Sequence, residues 1–490
     1  MIPQMVHQGP GDVNPRLNKP DSGSLQIRTS YDEMIPSVTE PSARFYIDVM
    51  KIFLALYEGA LSLEEAVSAA ETLKENPEYA KNAIDPTLIP LTEEYKDRIL
   101  SNLQTLKKFN LFTRDSVRSA FTFALLTPDA PISKTDLQIL RILEKNPLTT
   151  LVDAAEAIGA TPRTIARSIE RLERNFFLRV AAFVDMTSFG AHSHILFFTL
   201  AEGIDWEEVE EGFALYPFTK NILKTTMTDL GYASFLIPGP EENLSIFADH
   251  VSDISAILFD YSSLHVQEAT GANSNMSLLK DGQWQFSDAM LKIKEDDEAP
   301  ESEGEMRLLE CRGWQRGLTA NDFIVTAEYS KALRNPPRIL RENLRMEGWD
   351  FDGKQIAQSV RKSHDRGLIL PFLSYSGVGL PTNFCFEIIC NREWQDRILR
   401  AVIHLPSVTY YLSARGIILW VQVPSHHQVE YYRAFRALED FEGVRSVQPI
   451  MTILLKGSRS ELDFVRYWRF SSRGWTVDPE LLNLGSYFPY

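Results

Sequence analysis

From Lys134 onward, the apolar positions of KTDLQILRILEKN recur every three or four residues, the spacing of one helix face. LVDAAEAI repeats the pattern and closes on Gly159, a residue suited to a left-handed C-cap. A third helix follows at once. Thr161 supplies its N-cap, Pro162 takes the first helical position where no N–H is needed, and Ile165, Ile169 and Leu172 form the inner face. The period then drops towards two, and FFLRVAAFVD and SHILFFTL predict strands by their β-branched and aromatic content. Beyond them, DWEEVEEGFALY predicts a helix, ILKTTMT and YASFLIP a hairpin around Asp229, Leu230 and Gly231, EENLSIFADHVSDI a helix and SSLHVQEAT a final strand.

The second half repeats this order. A helical region over 319–346 is followed by Gly353 and the helix KQIAQSVRKSHDR, with Lys354, Gln358, Arg361 and Lys362 on one side and Ile356 and Val360 turned inward. LILPFLSY is a wing strand. Next come the strand NFCFEIIC, the helix REWQDRILRAVI, the hairpin SVTYYLS and IILWVQV around Arg415 and Gly416, the helix HQVEYYRAFRALEDF and the strand VRSVQPIMTILL. Gly231 and Gly416 each precede an apolar strand that ends in proline, Pro238 or Pro424. An internal duplication explains the pattern. The predicted fold class is α+β: two winged helix-turn-helix units, each followed by a ferredoxin-like βαββαβ domain, behind a helical N-terminal extension.

The predicted divisions are 1–40 as an unstructured segment, 41–130 as a helical domain, 131–190 as the first winged unit and 191–280 as the first ferredoxin-like domain. An acidic linker over 281–315 follows, then 316–378 as the second winged unit, 379–458 as the second ferredoxin-like domain and 459–490 as a tail. Residues 1–40 are rich in Pro, Gly, Ser and Asn, and KIKEDDEAPESEGE concentrates acids with few apolar residues. DRILSNLQTLKKFNLF sets Ile99, Leu103 and Leu106 ahead of an apolar pair, as the third helix above does. It fits a degenerate winged helix or an ordinary helical bundle.

Charge changes the picture at one place. The 490-residue chain carries a formal net charge of -16, which repels phosphate unless cations are segregated. Arg163, Arg167, Arg171 and Arg174 lie four, four and three apart on a flank of the third helix away from its apolar face. Interleaved with Glu170 and Glu173, such a stripe also suits a plain solvated helix with weak local ion pairs. Recurrence in a second tri-helical unit favours nucleic acid. Three cysteines, Cys311, Cys385 and Cys390, lack the spacing of a zinc site or a disulfide framework and suit a reducing cytoplasm; no stretch predicts a membrane span. His192 with His194 and His426 with His427 lack companion ligands, so no metal or cofactor is expected. No Gly-rich phosphate loop or nucleophile elbow is present, and the chain is expected not to be an enzyme. The tail mixes Arg459, Arg466, Arg469 and Arg473 with Tyr467, Trp468, Phe470 and Trp475, which suits either a stacking grip on nucleic acid or packing on a neighbouring domain.

KTDLQILRILEKN, LVDAAEAIGATPRTIARSIERLERN and the βαββαβ stretch after them resemble the Lrp/AsnC regulators, whose subunit joins a winged helix-turn-helix to a ferredoxin-like effector and oligomerisation domain. The resemblance covers about 134–275, and 319–455 more loosely. It implies that Thr161, Arg163, Thr164, Arg167, Arg171 and Arg174 face double-stranded DNA, with Lys354, Gln358, Arg361 and Lys362 in the second unit. It implies transcriptional control, pairing of the two ferredoxin-like domains within the chain as in a homodimer, room for further assembly and a small-molecule effector. The family's hairpin Gly-x-x-Asp pattern lacks its acid here, in Gly231-Tyr232-Ala233-Ser234 and in Gly416-Ile417-Ile418-Leu419. Siroheme decarboxylases also pair two such modules, so an enzyme of that kind is the alternative, and a protein-binding scaffold a third. FGAHSHILFF lacks the His-Arg run associated with those enzymes.

Overall fold

The computed structural model describes residues 27–29, 41–77, 93–108, 117, 132–176, 178–225, 230–280, 283–293, 306–375, 378, 380, 382–450, 453–472 and 474–488. The chain forms two compact units that divide near residue 128. In the first, α1 (Pro41–Glu58), α2 (Leu63–Glu75) and α3 (Glu93–Lys108) share a core of residues such as Phe45, Ile52, Leu73, Ile99, Leu103 and Leu106. Ser62 and Glu65 cap α2 reciprocally, satisfying two of its free N–H groups. Ile27, within the stretch expected to be unstructured, is buried in this core. Among the described residues no strand accompanies these helices. The apolar pair after Leu106 lies outside the described residues.

The second unit opens with α4 (Lys134–Lys145), α5 (Leu151–Ile158) and α6 (Pro162–Phe176). Gly159 ends α5 in the left-handed region, as its place in the sequence predicts. The wing strand β1 (Arg179–Val184) leads into β2 (Ala191–Leu200), α7 (Trp206–Leu215), β3 (Thr219–Thr225), β4 (Leu230–Pro238), α8 (Glu241–Leu258) and β5 (Phe259–Val266). After a two-residue step comes β6 (Ala269–Ser274), then a small hairpin of β7 (Leu279–Lys280) and β8 (Gln283–Trp284), and β9 (Leu308–Glu310). The second tri-helical group is α9 (Ala320–Ser330), α10 (Pro337–Met346) and α11 (Gly353–Asp365), with its wing β10 (Ile369–Ser374). The rest is β11 (Thr382–Cys390), α12 (Arg392–Val402), β12 (Ser407–Ser413), β13 (Gly416–Val423), α13 (Gln428–Arg436), β14 (Val444–Ile450) and β15 (Ile453–Ser458). A short α14 (Glu461–Phe464) and the hairpin β16 (Arg469–Ser471) and β17 (Gly474–Thr476) follow.

Both sheets have the ferredoxin-like strand order, fourth-first-third-second, read as β5-β2-β4-β3 and β14-β11-β13-β12. Each is then extended by a strand of the other half. β6, continuing from β5, adds to β12, with β9 beyond it, while β15, continuing from β14, adds to β3. SSLHVQEAT and VRSVQPIMTILL, each expected to be one strand, therefore break, and their ends leave for the opposite sheet. Part of the expected linker is also structured: β9 pairs with β6, and Met290 and Ile293 enter the second sheet's core. The wings pair too, β1 antiparallel to β10, and Phe183 stacks on Phe372 at 4.5 Å between centroids.

Alternation decides what each sheet face meets. Leu196 and Phe198 of β2 and Phe386 and Ile388 of β11 point to the helix-covered cores. Their neighbours Ile195, Phe197 and Cys385 turn the other way and join Tyr232, Ile418 and Trp420 in one cluster, so the two sheets pack face to face. The hairpin glycines serve different ends. A Cβ on Gly416 would sit 1.9 Å from the Ile388 carbonyl oxygen, whereas one on Gly231 would strike the Phe198 and Trp206 rings at 2.6 Å. Asp229 lies outside the described residues. In the tail, Trp468 and Trp475 are buried against Phe323, and Arg459 donates to the carbonyls of Ala214, Tyr216 and Thr219.

Candidate nucleic-acid interface

Helix α6 begins with a cap that also shapes its exposed end. The Thr161 hydroxyl accepts from the Thr164 N–H at 3.2 Å and lies 3.0 Å from the Thr164 hydroxyl. Ile165, Ile169 and Leu172 are buried, and this fixes which flank faces outward. Thr161, Arg163, Thr164 and Arg167 are exposed there, and among the described residues neither Arg163 nor Arg167 has an ion-pair partner. Two free guanidinium groups on the first turns of an exposed helix can meet phosphates or base edges.

Arg171 does something else. Its Nη2 donates to Asp136, to the Ser133 hydroxyl at 3.1 Å and to the Ser168 hydroxyl at 3.4 Å. Asp136 is 1% exposed and closes the capping box of α4 with Ser133. Arg171 therefore ties the third helix to the first rather than standing free for DNA. The side chain of Arg174 lies outside the described residues.

The second group reproduces the arrangement. Lys354, Gln358 and Arg361 are exposed on α11, above buried Ile356 and Ser359. Lys362 instead donates to Asp322 at 2.7 Å, and the Ser359 hydroxyl donates to the other oxygen of that carboxylate, also at 2.7 Å. Asp322 closes the capping box of α9 with Thr319, as Asp136 does with Ser133. Burial alone would raise the Asp322 carboxyl, but hydrogen bonds from Lys362, Ser359 and Thr319 hold it below its usual range. Lys362, like Arg171, is taken up by the fold.

The two winged groups also touch. Arg334, in the turn before α10, donates to the carbonyls of Pro147 at 3.0 Å and Thr149 at 2.7 Å, and the Leu333 N–H donates to the Val180 carbonyl. Glu173 of α6 is raised by burial, with the positive charge of Arg334 opposing.

A second polar group lies between the sheets. His265 Nε2 is 2.7 Å from Glu387 Oε1 and its Nδ1 is 2.8 Å from the Ser413 hydroxyl, while the Tyr261 hydroxyl donates to Glu387 Oε2 at 2.9 Å. His265 and Glu387 are fully buried. One sequence signal existed: Glu387 is the lone acid in the apolar run NFCFEIIC. The expected histidine pairs stay apart from this group. His194 is buried against Phe247 with its Nδ1 on the His192 carbonyl, and His426 contacts the Trp284 carbonyl. Among the described residues no group of three or more His, Cys, Asp or Glu could hold a metal. All three cysteines are free. No helix of the described residues is long and apolar enough to cross a membrane.

Residues 132–175 match the family described as winged helix-turn-helix DNA-binding. No curated protein matches this chain. Among solved structures, the siroheme decarboxylase NirDL is similar at 12% identity and a TM-score of 0.39 over 68% of this chain and 97% of that one. Its complex with an iron-uroporphyrin III analogue gives 11% and 0.40 over the same shares. The transcriptional regulator NMB0573 of Neisseria meningitidis, solved with L-Met, gives 17% and 0.21 over 27% of this chain and 88% of that one. The expectation that the chain is not an enzyme is corrected by the first two: structures similar to it include an enzyme, so absence of a catalytic motif does not exclude catalysis.

Proposed function

We propose that this chain is a DNA-binding transcriptional regulator with two fused winged modules, reading double-stranded DNA through the exposed starts of α6 and α11. One observation carries the reading: Arg163 and Arg167 stand exposed and unpaired on the third helix of a segment that matches a DNA-binding family. In an acidic chain this local positive face is where a polyanion can approach. Origin by internal duplication, the domain divisions given above, a small-molecule effector, assembly of further copies and action in the cytoplasm belong to the same proposal. The test is a shift assay on genomic fragments over a salt series, comparing the native chain with Arg163→Ala plus Arg167→Ala. Loss of two cationic contacts to the duplex should weaken binding and flatten the log–log salt slope. Unchanged affinity and slope would overturn it.

A second reading is favoured by the buried polar group of His265, Glu387, Tyr261 and Ser413 between the sheets. On this reading the chain acts on a tetrapyrrole, as the siroheme decarboxylase does. Titration with an iron uroporphyrin should then shift the porphyrin absorbance, and His265→Leu should abolish the shift. An unshifted spectrum removes this reading.

A further inference from the structure

Helix α10 turns Leu340 and Leu344 inward and leaves Arg338, Arg341 and Arg345 exposed. Intervals of three and four place the three on one stripe of the outer face. Among the described residues none of them has an ion-pair partner. The equivalent helix of the first group, α5, has the sequence LVDAAEAI: it carries Asp153 and Glu156, has no cation, and exposes Leu151 and Val152. The third helices differ as well, Thr161, Arg163, Thr164 and Arg167 on one against Lys354, Gln355, Gln358 and Arg361 on the other. Paired wings and exchanged strands hold these unlike surfaces in one compact unit.

We infer that the duplex recognised under the DNA-binding reading, on which this inference rests, is a non-palindromic site. The first winged group supplies most of the base discrimination through Arg163, Thr164 and Arg167. The second grips phosphates through Arg338, Arg341 and Arg345. A homodimer presents two copies of one reader, and its site repeats with matching twofold symmetry. Two different readers impose no such symmetry. In a helix-turn-helix the helix ahead of the reader crosses the sugar-phosphate backbone. Arginines at that crossing release counterions but read no sequence. The acids of α5 are repelled from the same place, so the first group must approach by the start of its third helix.

The test is selection from randomised duplexes with the full chain, followed by salt-titrated binding of selected and scrambled duplexes. The native chain is compared with Arg163→Ala plus Arg167→Ala and with Arg338→Gln plus Arg341→Gln plus Arg345→Gln. The enriched sequence should lack twofold symmetry. The triple variant should lose on the order of 10-fold in affinity equally for selected and scrambled duplexes, with a salt slope flatter by about three. The double variant should lose the difference between the two duplexes. Thermal midpoints of both variants should match the native chain, because every altered side chain is exposed; a lowered midpoint is answered by repeating the titration with Arg→Lys at the same positions, which must restore the salt slope. A palindromic enriched site, or loss of discrimination in the triple variant alone, would overturn the asymmetry and leave DNA binding standing. A native chain that holds no duplex even at low salt would remove the DNA-binding reading itself.

Discussion

His265 on the last strand of the first ferredoxin-like set and Glu387 on the first strand of the second meet at 2.7 Å, both fully buried. A pair of this kind stabilises little relative to apolar packing, but breaking it is costly because the remaining buried group loses a close hydrogen-bond partner. His265→Leu should therefore destabilise by about 3–5 kcal/mol in denaturant unfolding. His265→Leu plus Glu387→Leu should recover most of that loss. A double variant as unstable as the sum of the two single ones would show that the pair is not coupled.

Anchoring and reading arginines should separate cleanly. Arg171→Ala should lower the thermal midpoint by a few degrees, since Asp136 loses a charge-assisted hydrogen bond, and should leave the salt slope of DNA binding unchanged. Arg163→Ala should do the reverse. If Arg171→Ala flattened the slope as much as Arg163→Ala at an unchanged midpoint, the anchoring role would fail.

Asp322 gives an acid-sensitive element. Its carboxyl is held below the ordinary 3.8 despite burial, so it stabilises the fold above that ordinary value, and the contribution is lost as pH falls through the lowered folded value. Midpoints measured from pH 6 to pH 2.5 should fall more steeply for the native chain than for Asp322→Asn. Parallel curves would discard the effect.

His194 acts in a different window. Burial pushes its imidazole down to about 4 from an ordinary 6.5. Between those values the unfolded chain takes up a proton that the folded chain refuses, so stability falls as pH drops through the window and levels off below it. The full loss is on the order of 3 kcal/mol. His194→Gln should remove much of the native decline between pH 7 and pH 4, and an undiminished decline would place its cause elsewhere.

The tri-helical groups were legible because local signals agree within them: Ile165, Ile169 and Leu172 keep helical spacing, Thr161 and Pro162 start the helix, and Gly159 ends the one before it. The partner of Arg171 was not legible, because Asp136 lies in another helix and spacing along α6 says nothing about it. A clue was present in both halves, since an aspartate three residues after a Ser or Thr cap recurs at Asp136 and Asp322 beside a cation at Arg171 and Lys362. Strand exchange was equally hidden. Nothing in the local alternation of SSLHVQEAT or VRSVQPIMTILL states that the chain changes sheets midway, because the choice depends on which distant edge is open.

That exchange has a consequence for how the molecule comes into being. During synthesis the outer edge at β3 cannot be covered until the ribosome has made residues 453–458, although the rest of that sheet is complete by Val266. Through much of the second half of translation the nascent first half carries an uncovered strand edge, a template for mispairing with neighbouring nascent chains.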